Sequence, residues 1–149
     1  MANALRARAL AYLARREMSR AELRKKLAPY ADSTAELDGL LDELNQSRLQ
    51  SDARFTEVLV HTRARRFGAS RIARELREKG VAPELADGAV AALGAGETAR
   101  ARDVWRRKFD ALPATREERA KQGRFLMGRG FSADVVRRVL GGKLEEELE

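Results

Sequence analysis

The residue types in this chain that can do chemistry are cationic, and they recur at a nearly fixed spacing. Lys25, Arg74 and Arg124 stand 49 and 50 positions apart, and each lies two residues before a leucine, Leu27, Leu76 or Leu126. Two residues are about 200° around a helix, so a leucine line turned inward leaves these cations outward. Other basic side chains gather near the same register. They are Arg15, Arg16 and Arg20 in the first stretch, Arg63, Arg65, Arg66 and Arg71 in the second, and Lys121 and Arg129, near Arg137 and Arg138, in the third. Stacked repeats could align such groups into a stripe fit for a polyanionic partner. For any single residue, ordinary solvated helix charge is the alternative, with i,i+4 partners such as Arg71 with Glu75 and Arg74 with Glu78.

Catalytic chemistry has little to work with. His61 is the sole histidine and no cysteine occurs, so thiolate metal sites and disulfides are excluded. The acidic pairs Asp42 with Glu43 and Glu117 with Glu118 are adjacent and point apart on a helix. The stretch G-A-G-E at 94–97 lacks the G-K-[ST] ending of a phosphate loop and follows a helical pattern instead of a strand. No catalytic, metal or cofactor-binding residue is expected, and Trp105, among apolar positions, is expected in a core. No run of about 18 apolar residues is present, which predicts a soluble, cytoplasmic protein without a membrane partner.

Bulk composition points to helices. Of 149 residues 44% are hydrophobic, chiefly Ala and Leu, with 5% aromatic residues and three prolines. Thirty basic against 23 acidic residues give a formal charge of +7, which favours polyanions. The excess is uneven: residues 1–30 carry a net +6 and residues 31–60 a net −5.

The elements that must position the cations follow from apolar spacing and caps. Leu5, Leu10, Leu13 and Ala14 predict a first helix ending near Glu17. Ser19 to Glu22 forms a capping-box pattern before a short helix on Leu23 and Leu27, which Pro29 stops. Ser33 to Glu36 opens a third helix on Leu37, Leu40, Leu41 and Leu44. The pattern then repeats. Ser51 or Asp52 caps a helix with Phe55, Val58, Leu59 and Thr62 that reaches about Phe67. Gly68 breaks it, and Ile72, Ala73 and Leu76 line a short helix closed by Gly80, which suits a left-handed C′ position. Pro83 opens a helix with Leu85, Ala89, Val90 and Leu93, and Gly94 and Gly96 mark a joint that could flex. In the third round come Ala101, Val104, Trp105 and Phe109; then Thr115 to Glu118 as a cap, with Phe125, Leu126 and Met127; then Ser132 with Val135, Val136, Val139 and Leu140. The expected fold is all-α: three tandem three-helix repeats, 1–50, 51–95 and 96–142, in an elongated curved array. An acidic tail, 143–149, follows, to which no function is assigned.

Taken in order, L-A-R-R-E-M-S-R-A-E-L at 13–23, S-D-A-R-F at 51–55, G-A-S-R-I-A-R-E-L-R-E-K-G-V at 68–81 and F-L-M-G-R-G-F-S at 125–132 resemble the RecX family of bacterial RecA regulators. The resemblance runs from about Ala4 to Leu140. Phe67 stands where the family's second unit often has an aromatic residue, and the loop from Asp110 to Glu117 departs from the pattern. The resemblance implies a noncatalytic regulator, expected to be a monomer, that lodges in the groove of the RecA filament on DNA. There it would inhibit recombinase, ATPase and coprotease activities and so modulate recombination, repair and the SOS response. Candidate contacts are Arg15, Arg16, Arg20, Lys25, Arg65, Arg66, Arg71, Arg74, Lys121, Arg124 and Arg129. The competing reading is a helical DNA-binding module acting without RecA. Weak direct binding of single- or double-stranded DNA is compatible with either.

Overall fold

Every described element is helical because the sequence repeats one local program: a polar cap, a short apolar stripe, a stop. The computed structural model describes residues 2–141; Gly142 and the acidic tail lie outside them. The α-helices are α1 (Ala2–Arg15), α2 (Arg20–Leu27), α3 (Thr34–Gln46), α4 (Asp52–Arg63), α5 (Ala69–Glu78), α6 (Pro83–Ala91), α7 (Glu97–Lys108), α8 (Arg116–Gly128) and α9 (Ala133–Leu140). Short 3-10 turns at Ala28–Tyr30 and Gly94–Gly96 follow α2 and α6.

Two compact units result. Among the described residues, one comprises residues 2–59 with Leu76–Ala86, the other Val60–Glu75 with residues 87–141. In the first, α1, α2 and α3 pack on Leu5, Ala9, Met18, Leu23, Leu27, Leu37, Leu40, Leu41 and Leu44. In the second, α7, α8 and α9 pack on Ala101, Val104, Leu126, Phe131, Val135, Val136, Val139 and Leu140. Leu27, Leu76 and Leu126, the recurrent leucines, are each 0% exposed. Several predicted core positions turn out otherwise. Ala14 and Thr62 are exposed, as are Val58 and Met127, and α1 stops at Arg15. On α4 Phe55 and Leu59 are buried as expected, but the third buried residue is Thr56 in place of Val58 and Thr62. The helix ends at Arg63 because the chain turns through Ala64–Arg66 before Phe67.

The caps act partly as expected. Ser19, Ser33, Thr115 and Ser132 accept hydrogen bonds from the backbone N–H groups of Glu22, Glu36, Glu118 and Val135. The reciprocal half of the capping box is diverted, since the Glu22 carboxylate binds Arg16 and Lys79.

One joint occurs in both units. The C-terminal turns of α5 and α8 are Schellman motifs: Gly80 N–H reaches Arg77 O and Val81 N–H reaches Leu76 O, and Gly130 N–H reaches Met127 O and Phe131 N–H reaches Leu126 O. Gly80 (φ 77°) and Gly130 (φ 94°) supply the left-handed residue. Each glycine presses on the N-terminus of an earlier helix. A Cβ on Gly80 would lie 2.5 Å from the Ala21 Cβ, and one on Gly130 would lie 2.4 Å from the Arg71 Cβ. Ala21 and Arg71 are 50 residues apart, as are Gly80 and Gly130. Polar bonds complete each joint. Ser19 Oγ donates to Lys79 O (2.7 Å), and Gly68 N–H donates to Arg129 O (2.7 Å). The carboxylates of Asp52 and Glu97 accept from the first N–H groups of α2 and α5, those of Arg20 and Ala69, both at 2.8 Å. Gly68, read from sequence as a helix break, is buried because its Cα sits against the Gly130 carbonyl.

The joint and the helix interiors make opposite demands on glycine. Gly130→Ala should lower the unfolding free energy by more than about 2 kcal/mol, as the Cβ meets both positive φ and the Arg71 Cβ. Gly39→Ala, within α3 and open on its Cβ side, should raise it by about 0.5–1 kcal/mol. Urea denaturation of the two variants measures both signs.

Candidate basic interface

The predicted cations divide into three kinds of environment. Arg16 and Arg20 are engaged by acids. Arg16 forms a two-pronged pair with Glu22 (3.1 Å for Nη1 to Oε1), and Arg20 pairs with Asp42 at 2.7 Å. Burial alone would push the Glu22 carboxyl up, but hydrogen bonds and charge from Arg16 and Lys79 outweigh it and hold the group below the ordinary carboxylate range. The same hydrogen bond raises the Arg16 pKa. Glu75 pairs not with Arg71, as the i,i+4 spacing suggested, but with Arg63, through two bonds of 2.9 Å. That bond raises the Arg63 pKa and ties this guanidinium to Glu75.

Arg15, Lys25, Arg65, Arg74, Lys121 and Arg124 are exposed, and no ion pair holds them among the described residues. In the first unit Lys25 lines an open concavity with Arg16, Lys26 and Lys79, and Glu22 and Glu78 line it too. Four cations against two carboxylates leave it net positive.

Arg66, Arg71 and Arg129 form the third environment, in the second unit. Their guanidinium carbons lie 5.7, 4.0 and 5.3 Å from the centre of the Phe67 ring. Arg129 also lies 5.1 Å from the Phe125 ring centre, with Lys108 Nζ on that ring at 5.7 Å. Phe125 in turn meets Phe109 edge-on at 5.4 Å, and Phe109 lies 6.5 Å from Trp105. Aromatic faces attract cations without cancelling their charge, so the ladder fixes guanidinium groups that remain available to an anion. Trp105 is half-buried, and its Nε1–H donates to Gln122 Oε1 at 2.8 Å. The indole thus serves packing, as expected.

Sequence reasoning missed the organising role of Phe67 and Phe125. The pairs Phe67–Arg71 and Phe125–Arg129 are i,i+4, a spacing that could have flagged them. Arg107 and Lys108 were missed for want of any such signal, because their neighbours come from distant segments: Arg107 donates to the Arg65 carbonyl across 42 residues. Gln122 was missed too; it is buried in the register of Leu23 and Ile72, donating to Ala111 O at 3.2 Å. No group of three or more His, Cys, Asp or Glu among the described residues is placed to hold a metal, and no helix there is long and apolar enough to cross a membrane.

Comparison with known proteins gives one consistent likeness. Residues 51–90 match the second three-helix domain of RecX and residues 96–140 the third. The regulatory protein RecX of Leptothrix cholodnii is 52% identical over 136 residues, 91% of this chain and 87% of that protein. The regulatory protein RecX of Ralstonia nicotianae is 49% identical, over 93% of this chain and 87% of its own. The crystal structure of RecX from Lactobacillus salivarius superposes with a TM-score of 0.80 at 20% identity, covering 95% of both chains, and shows the shared fold.

The Glu22 pairing has a pH signature. Its folded pKa lies below the unfolded value, so its contribution is present above the ordinary carboxylate range and is lost as pH falls through the folded value. Glu22→Gln should lower the urea midpoint at about pH 7 and converge on the parent protein as pH falls below the ordinary carboxylate range and through the folded value. A gap that stays constant across that range would mean the carboxylate does not titrate with folding.

Proposed function

This chain belongs to the RecX family of regulatory proteins, and on that premise we propose that it is a noncatalytic inhibitor that binds the RecA filament on DNA along its groove. In that role it would depress the recombinase, ATPase and coprotease activities of RecA in the cytoplasm and so modulate recombination, DNA repair and the SOS response. The observation that carries the reading is the recurrent exposed cation. Lys25, Arg74 and Arg124 occupy one register, and each points to solvent without an ion pair among the described residues. A nucleoprotein filament is a polyanion, and long-range attraction to such a face speeds docking. RecA side chains would supply specificity, since phosphate attraction alone is blind to the partner's identity. Successive repeats, taken as 1–50, 51–95 and 96–142, would contact successive protomers, with Arg15, Arg16, Arg20, Arg65, Arg66, Arg71, Lys121 and Arg129 as further contacts.

The direct test is a titration of the protein, at substoichiometric ratios, into RecA assembled on single-stranded DNA. ATP turnover should fall; turnover that stays flat across the titration rejects the proposal. Reversing Lys25, Arg74 and Arg124 to Glu together should abolish inhibition while leaving the helical circular dichroism unchanged. Full inhibition by that variant places the contacts elsewhere.

A further inference from the structure

Four cations line one small concavity of the second unit with no carboxylate among the lining residues: Arg66, Arg107, Lys108 and Arg129, backed by Val104 and Phe125. We propose that this concavity is a binding site for a single phosphate group, carried either by a free phosphate compound or by a nucleic-acid strand.

The cations are held in place by contacts that do not neutralise them. Arg129 lies against the rings of Phe67 and Phe125, and Lys108 against Phe125. Arg107 donates through Nε to the Asp103 carbonyl at 3.3 Å and through Nη2 to the Arg65 carbonyl. Carbonyls and aromatic faces orient these groups and leave their charge uncompensated. The side chain of nearby Asp103 is engaged by Arg106 at 3.3 Å and lines a neighbouring hollow, not this one. Like charges lining one hollow repel one another, so a bound dianion relieves the cluster.

Geometry narrows the occupant. The hollow holds about 160 Å³, well under the roughly 300 Å³ at which pockets for drug-sized molecules begin. That admits one tetrahedral oxyanion with its water. Guanidinium forks bind phosphate oxygens two at a time, and cations converging from several sides suit a tetrahedral ion better than the planar pair of oxygens of a carboxylate. The proposal is independent of RecA, because its test contains no recombinase.

Isothermal titration calorimetry at low salt on the full chain decides it, with pyrophosphate, an unphosphorylated oligothymidylate and hexaglutamate as separate titrants. Arg107→Gln/Lys108→Gln removes two charges from the site, and Arg77→Gln/Arg138→Gln removes two exposed charges elsewhere. Lys108→Gln alone provides a milder variant should the first fold poorly. The site variants should weaken phosphate binding about tenfold and the charge-matched variant less than about twofold. A loss seen with pyrophosphate assigns a free phosphate compound as the source, and a loss seen with the oligonucleotide only assigns a strand phosphodiester. Equal weakening in site and control variants, tighter binding of hexaglutamate than of either phosphate ligand, or no saturable binding overturns the proposal.

Discussion

The repeats depend on a contact between backbones. Where Gly80 meets Ala21, and where Gly130 meets Arg71, the main chain of a Schellman turn lies so close to a helix N-terminus that even one extra carbon has no room. Two requirements coincide on the same residue: left-handed φ, which glycine tolerates, and an absent side chain, which only glycine offers. The leucines behind the turn are then fixed in depth. Leu76 and Leu126 sit one turn before their glycines and are fully buried, so the height of the inward line relative to the joint is set by the helix rise.

From this constraint follows the exposure of the cations. A helix pinned at its first residues by a turn and by a carboxylate, Asp52 on α2 or Glu97 on α5, has no freedom to roll. Its residue two positions before the buried leucine must then face water. Rotation by even one residue would bury a charge and expose a leucine, costing several kcal/mol for each. The basic surface is thus a by-product of rigid packing, and it can be used for recognition without weakening the core.

Much of this was legible in the sequence because it rests on short-range signals. The caps at Ser19, Ser33, Thr115 and Ser132, the glycine at the end of α5 and the leucine lines of α2, α3 and α5 all follow from residues within one or two turns. The stripe on α4 was misread because Thr56 is buried and Val58 is not; an apolar pattern cannot reveal that a hydroxyl has taken the inward place. Met127 was misassigned for the converse reason, an apolar side chain with no wall to pack against. The phosphate-sized hollow was invisible because its lining comes from Arg66, Val104 to Lys108 and Phe125 to Arg129, segments joined only by the fold. The aromatic ladder was half visible, in the i,i+4 pairs, and half hidden in the meeting of Phe109 with Phe125.

The joint has a direction. Both N-termini that receive a Schellman turn, those of α2 and α5, also take a carboxylate from the start of a later helix, so each repeat leans on its successor. The N-terminus of α8 has a cap of the same kind as α2, Thr115 in place of Ser19, but there Glu118 of the same helix reaches back to accept from the Ala114 N–H at 2.8 Å. Among the described residues, α2 and α5 thus borrow an end group from a later helix, whereas α8 draws one from its own first turns.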